Sequence, residues 1–325
     1  MSLSPLRARF RGAILGTAIG DALGMPVEGR SYWTIQTYYR GIRGYEDDHF
    51  NPEGLRAGQW TDDTQQMWAL LEALCEVCGP DPEVFARALV RAYRSGPRRW
   101  GRYSREAVSR LEAGCPPGQS GDPTADTAGA LARSAPLGLW WAARRTSPEQ
   151  AWAQTEAITG VSHAHPEAIT GAFLQAWAVC RLALSDPAAF EPETWLEELL
   201  KTLEAVGPSA ETALFGERVR ALWARRHEIP LELTEGLTQV PARARDLGPL
   251  ALVLFGRVFA DPEAVILSGI NAGGDTDTLG ALLGALCGAL HGCACFPQAW
   301  LEGLEARSEL EAAADRLYEA ALQNR

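Results

Sequence analysis

Residues 271–292 read NAGGDTDTLGALLGALCGALHG, and the fold can be worked out from this stretch outward. Asp275, Asp277 and Thr278 share one turn, just after Gly273 and Gly274, which permit a tight backbone. An apolar run follows in which Gly280, Gly284, Gly288 and Gly292 recur at every fourth position. That spacing lines up on one face of a helix. Each glycine inside a helix costs ~1 kcal/mol relative to alanine, so a full stripe needs a packing reason. A face without side chains lets another backbone come close. A second stripe, Gly12, Gly16, Gly20 and Gly24, lies near the start of the chain. Such packing is expected to hold Asp21, Glu28 and the Asp275 turn near one another.

The rest of the chain carries the same period, with apolar residues three and four apart and no convincing run of alternating strands. The expected fold is all-α, a single large orthogonal helical bundle forming one domain over residues 1–325. Helices are expected at Arg7 to Leu23, Asp62 to Val77, Pro82 to Arg94, Ser104 to Ala113, Ala125 to Arg144, Pro148 to Thr159 and Pro166 to Leu184. Further ones are expected at Pro192 to Ala205, Ala210 to Ala224, Leu247 to Phe259, Pro262 to Gly269, Thr276 to His291 and Leu301 to Leu322. Several open with Pro in the first turn, where the missing N–H is no loss. Tyr38 to Trp60, Gly114 to Pro123 and Arg226 to Arg245 are rich in Gly, Pro and charge and read as loops.

A formal net charge of −11 argues against a general affinity for nucleic-acid backbones or anionic membranes, which require a basic surface. No segment reaches the ~18 to 20 apolar residues of a membrane span, and Met1 to Arg11 lacks the apolar core of a signal peptide. A cytoplasmic monomer is expected. The seven cysteines include Cys75 and Cys78, three apart, and Cys293 and Cys295 around Ala294. A zinc site is conceivable, but without paired C-x-x-C spacing small buried residues are the better reading.

Thr61-Asp62-Asp63-Thr64 stands directly before the amphipathic run Gln65 to Leu74. These residue types cap helices and face the positive end of the helix dipole, so plain capping accounts for this motif in isolation. Capping is a weaker account of Asp275 to Thr278, because one cap residue suffices and two carboxylates are present. If the two turns face each other with Glu28 beside them, carboxylates ~4 Å apart repel by roughly 4 kcal/mol per pair at a dielectric of 20. Protons or cations must then relieve the charge, and hard oxygen ligands select Mg²⁺, Ca²⁺ or Mn²⁺. An EF-hand starting at Asp275 fails, since Leu279 and Leu286 would fall at ligand positions. Neither phosphate-loop nor dinucleotide glycine fingerprints occur. Ser162-His163-Ala164-His165-Pro166 precedes another helix; Ser162 either caps it, or the two histidines and the exposed amides bind an anionic or ribosyl group.

Together these motifs resemble the ADP-ribosylglycohydrolase family. The matching segments are Gly12 to Gly24 with Glu28, Trp60 to Thr64, Ala128 to Leu137, Ser162 to Ala168 and Asn271 to Gly292, in family order. The resemblance implies a hydrolase that releases ADP-ribose from an ADP-ribosylated protein or small-molecule conjugate by way of two divalent cations, Mg²⁺ or Mn²⁺. By position it implies Thr61, Asp62, Asp63, Asp275, Asp277 and Thr278 as metal ligands, and Glu28, Asp62 and Asp277 as catalytic. It also places Glu28, Gly101, Thr127, Gly129, Ser162 and His163 against the substrate. Where relatives commonly read Asn-Gly-x-x-Met-Arg, this chain has Ala128-Gly129-Ala130-Leu131-Ala132-Arg133, and Arg99 stands where arginine-specific relatives tend to carry Asp. A hydrolase of a related nucleotide or ribosyl compound, and a non-catalytic ADP-ribose-binding member, are the alternatives. Retention of the acids argues against the latter.

Overall fold

The computed structural model describes residues 4–51 and 54–323. Residues 1–3, the pair 52–53 within the Tyr38 to Trp60 stretch, and 324–325 lie outside the described residues. The first half contains α1 (Pro5–Gly24), α2 (Tyr32–Tyr39), α3 (Asp62–Val77), α4 (Pro82–Arg94), α5 (Arg102–Glu112), α6 (Pro117–Ser120), α7 (Gly129–Ala132), α8 (Ala135–Arg144) and α9 (Pro148–Thr159). The second contains α10 (Pro166–Leu184), α11 (Pro192–Val206), α12 (Ala210–Ala224), α13 (Pro230–Thr234), α14 (Ala244–Val258), α15 (Pro262–Ile270), α16 (Thr276–His291), α17 (Gln298–Gly303) and α18 (Arg307–Leu322). The fold is all-α. Extended pairing among the described residues is limited to isolated bridges, Ser31 with Gly273, Asp122 with His163 and Thr127 with Arg243.

The two glycine stripes pack against each other. A Cβ at Gly20 would lie 1.8 Å from the carbonyl oxygen of Gly280, and one at Gly16 2.0 Å from that of Gly284. Gly12 meets Gly288 and Gly24 meets Thr276 in the same way, so α1 and α16 run antiparallel in backbone contact. Both helices are buried almost throughout. One cluster of buried hydrophobic residues runs from Phe10 to Ala321. No helix among the described residues is long and apolar enough to cross a membrane.

Proline in the first turn and a side-chain cap start many helices as expected. Asp81 accepts from the amides of Glu83 and Val84, Ser147 forms a capping box with Gln150, and Asp261 accepts from Ala264 N–H. Several expectations need correction. The Ala125 to Arg144 stretch is not one helix: Ala128 N–H donates to Ala242 O (2.9 Å) and Ala244 N–H to Asp126 O (2.8 Å), which draws residues 126–128 out into a bridge. Leu301 to Leu322 is divided between α17 and α18 by Ala306, whose φ of 53 is left-handed. Helix α2 lies partly within the expected Tyr38 to Trp60 loop, and the short α13 within Arg226 to Arg245.

Candidate active site

Helices α1 and α3 meet at Asp21. Its carboxylate accepts from Thr61 N–H (3.0 Å to either oxygen), from Thr64 N–H (3.0 Å) and from the Thr64 hydroxyl (2.6 Å). Two of the orphan amides that open α3 are thus satisfied by a side chain some forty residues earlier in the chain. Burial raises the Asp21 pKa to about 6, against the lowering effect of these bonds. Thr61 also caps α3, accepting from Asp63 N–H at 3.4 Å.

The second acidic turn is fastened to the same end of α1. The Thr276 hydroxyl donates to Gly24 O (2.7 Å), Gly29 N–H to Gly274 O (2.8 Å) and Gly274 N–H to Arg30 O (2.9 Å). The turn that carries Glu28 is therefore tied to the turn that precedes Asp275. Gly274 has φ 88, and a Cβ there would lie 1.9 Å from Thr238 O, so the glycine is needed on both counts. Asp275 opens α16 without capping it; its Oδ2 accepts from Ala242 N–H (3.1 Å) in the long loop.

Asp62, Asp63, Asp275, Asp277 and Glu28 consequently lie within electrostatic reach of one another. Burial and then the repulsion of Asp62, Asp21 and Asp275 push Asp63 well above the carboxylate range, against the lowering effect of Thr278. Burial followed by Glu28, Asp275, Asp63 and Asp21 does the same to Asp277. Asp62 is raised to about 8, chiefly by burial, although Gly101 N–H (3.3 Å) and Gln66 Nε2 (2.7 Å) donate to its Oδ2. Glu28 is raised by burial and by Asp275, against the pull of Arg99. Two distant acidic turns are thus brought together, a cost that protons or cations must offset.

Among the described residues, no three His, Cys, Asp or Glu side chains close on a common point as a preformed metal cage does, and Cys75, Cys78, Cys293 and Cys295 are free thiols. The acids nevertheless suit a hard cation. Asp63 Oδ2 is buried with no hydrogen-bond partner, and every donor in the set is oxygen, a composition that fits Mg²⁺ or Mn²⁺ better than zinc.

Behind Asp62 a buried polar chain joins the expected Ser162, His163 and Thr127 to Gln66, Ser104 and Arg133, for which the sequence suggests no role. Gln66 Oε1 accepts from Arg133 Nη1 (2.8 Å) and from the Ser104 hydroxyl (3.1 Å). Arg133 Nη2 donates to Ser162 Oγ (2.7 Å), and its guanidinium lies 5.2 Å from the Phe85 ring centroid. Burial lowers the Arg133 pKa to about 10, and Asp62 and Asp63 favour its charge. The chain continues from Ser162 Oγ to His163 Nδ1 (2.8 Å) and from His163 Nε2 to Thr127 Oγ1 (3.2 Å). Ser162 accepts from Arg133, so its own proton goes to Nδ1. His163 is then the neutral Nε2–H tautomer, donating to Thr127. Burial and then Arg133 lower the His163 pKa to about 3, consistent with that assignment.

Of the expected substrate contacts, Thr127, Ser162 and His163 form one hydrogen-bonded unit. Gly101 touches Asp62 directly, and Gly129 opens α7 two residues after Thr127. Ser162 does not cap α10. His165 does, accepting from Glu167 N–H at 3.2 Å, so His165 serves the helix and only His163 joins the polar chain. Arg133 could have been noticed as the one charge in the apolar run from Ala128 to Ala143.

The ADP-ribosylglycohydrolase family model matches residues 2–325. An uncharacterized protein of Archaeoglobus fulgidus is 37% identical over 323 residues, covering 97% of each chain. ADP-ribosylhydrolase ARH3 of Bos taurus is 26% identical over 350 residues, covering 96% of this chain and 92% of its own. A solved structure described as an ADP-ribosylglycohydrolase-related protein complex superposes with a TM-score of 0.77 at 30% identity, covering 98% of this chain and all of that one. With motifs, fold and full-length matches in agreement, the chain belongs to the ADP-ribosylglycohydrolase family.

Proposed function

We propose that the protein hydrolyses the glycosidic bond between the anomeric carbon of ADP-ribose and an acceptor, in a cleft flanked by the starts of α3 and α16. The observation that carries this reading is the convergence of Asp62 and Asp63 with Asp275 and Asp277, around a buried carboxylate oxygen that lacks a partner. Family membership and the relative named an ADP-ribosylhydrolase support the substrate class. The continuous core supports one domain over residues 1–325.

Thr61, Asp62, Asp63, Asp275, Asp277 and Thr278 would hold two Mg²⁺ or Mn²⁺ ions. When bound, such ions would act as Lewis acids toward ribose hydroxyls and lower the pKa of a water. The remaining chemistry belongs to the chain. Asp62, oriented by Gln66 and by Gly101 N–H, is placed to accept a proton from the attacking water. Glu28, held by Arg99 Nη1 at 3.1 Å, is placed to accept from a ribose hydroxyl. Thr127 accepts from His163 and so keeps its own proton to donate to a phosphate or ribose oxygen. The acids stabilise the oxocarbenium-like charge of the transition state, outside the usual two-carboxylate scheme.

The test is incubation with Mg²⁺ or Mn²⁺ and arginine-, serine- and O-acetyl-linked ADP-ribose, following free ADP-ribose by chromatography. Release from at least one linkage is expected. Asp277→Ala should abolish turnover and cation binding while leaving the helical circular dichroism intact. No release from any linkage, or wild-type rates in Asp277→Ala, would refute the reading.

A further inference from the structure

The loop between α4 and α5 carries two adjacent arginines that part company. Arg98 pairs with Glu305, donates to Trp60 O (3.3 Å) and lies 4.5 Å from the Trp60 ring centroid. Arg99 turns inward. Its backbone has φ 56, left-handed for a residue with a side chain, and such strain persists only where the surroundings hold it. Its Nη1 donates to Met25 O (2.7 Å) and to Glu28 Oε2 (3.1 Å), and its Nη2 to Asp48. The Asp48 side chain is only 4% exposed. A guanidinium of the protein's own therefore occupies a cradle of two carboxylates and a carbonyl.

This cradle borders a cavity of about 330 Å³ lined by Met25, Glu28, Asp48 and Arg99 together with Arg30, Asn51 and neighbours. The cavity shares Glu28 with the acidic cluster, but none of its lining residues is Thr127, Gly129, Ser162 or His163. If the ADP portion lies along the Thr127–His163 chain, the cavity beside Glu28 is left for the acceptor.

We propose that Arg99 determines which acceptor leaves: one joined through oxygen is accepted, and one joined through a guanidinium is rejected. This rests on the hydrolase reading above, with Glu28 beside the bond that breaks. An acceptor guanidinium needs carboxylates to pair with, and in this cleft Glu28 and Asp48 are already paired with a group of the same shape and charge. It would also arrive beside a like charge in a partly desolvated cavity. An oxygen-linked acceptor meets the opposite situation. Arg99 has five N–H groups and three acceptors, so it keeps donor capacity for an acceptor oxygen on which negative charge develops. In the reaction the bond from the anomeric carbon to that oxygen breaks; water gives its hydroxyl to the carbon and its proton to the departing oxygen.

The experiment compares wild type, Arg99→Gln and Arg99→Gly, the last compatible with the left-handed backbone. Substrates are peptides ADP-ribosylated on serine or on arginine, and kcat/KM is measured with Mn²⁺ present. Wild type is expected to favour the serine linkage at least 100-fold, with Arg99→Gln narrowing the ratio at least tenfold, mainly through KM for the arginine peptide. A wild type that cleaves both alike, or a ratio unmoved in Arg99→Gln, overturns the proposal. A second readout needs no turnover: calorimetry with arginine amide should detect binding to Arg99→Gly and none to wild type. Equal binding to the two overturns the proposal even if neither peptide is cleaved, an outcome that would by itself count only against the hydrolase reading. Should Arg99→Gly be unstable, guanidinium at millimolar concentration is expected to raise its melting temperature and not that of wild type; no rise would count equally against the cradle.

Discussion

Replacing Gly284 by Ala would put a methyl carbon 1.9 Å from the carbonyl oxygen of Gly16 and 2.5 Å from its carbonyl carbon. Non-bonded carbon and oxygen need at least ~3 Å, so the helices must separate by about 1 Å at that level. The obstacle is backbone, and no rotamer change relieves it. Overpacking typically costs 1–3 kcal/mol, and a clash between two main chains belongs at the upper end. Alanine returns ~1 kcal/mol of helix propensity, leaving a net loss of roughly 2 kcal/mol. At about 2 °C per kcal/mol for a chain of this size, the melting temperature should fall by ~4 °C. The control is Gly216→Ala in α12, where the nearest obstacle is the Arg220 guanidinium at 3.3 Å, the end of a flexible side chain. There the propensity gain should prevail and the melting temperature should rise by up to ~2 °C. Both are read from thermal unfolding followed by circular dichroism at fixed protein concentration and pH. If Gly284→Ala is as stable as wild type or gains as the control does, α1 and α16 are not in backbone contact and the account of the stripes is wrong.

Two further outcomes follow from the electrostatics. In chelator, Asp62 and Asp21 have folded pKa values of about 8 and about 6, above the ~4 of an unfolded aspartate, so the native state holds extra protons between those limits. Their contribution is complete below pH ~4 and is lost as pH rises through 6 and 8, so the metal-free protein should melt progressively lower from pH 5 to 8. Excess Mn²⁺ should flatten that slope, and a chelated protein whose melting temperature rises over the same interval would contradict the burial of the acids. The His163 imidazole should remain the neutral Nε2–H tautomer from pH 5 to 8 by ¹⁵N NMR; in Ser162→Ala, which removes its orienting partner, ADP-ribose affinity should fall by about tenfold. Titration of His163 near its ordinary value of ~6.5 would break the proposed hydrogen-bond order.

What the sequence made legible was local and periodic. The glycines of the two stripes repeat at helical spacing and lie along α1 and α16, and the two Asp/Thr turns stand at helix starts as expected. What it hid depended on partners far along the chain. The stretch from Ala125 to Arg144 has the composition of one helix, and only the bridge from residues 126–128 to 242–244 interrupts it. Helix α2 buries Ile35 alone and offers an aromatic, half-exposed sequence without a clear apolar face. Asp21 is expected near Glu28 and the Asp275 turn, but its bonds to the amides that open α3 could not be read from the sequence. Gln66 reads as an ordinary helix residue and Arg133 as the end of a family-like segment without a role, because the bonds that join them to each other and to Ser162 span sequence separations of 67 and 29 residues.

The contact between α1 and α16 also restricts how the cleft can vary. Where large side chains separate two helices, repacking lets the helices slide by small amounts. Here carbonyls are seated on glycines at every fourth position, and the next alignment that fits is four residues away, ~6 Å at 1.5 Å per residue. The gap between the two acidic turns is thus indexed like the teeth of a ratchet. Loops that grip different acceptors can be exchanged around it without detuning the spacing of the charged oxygens.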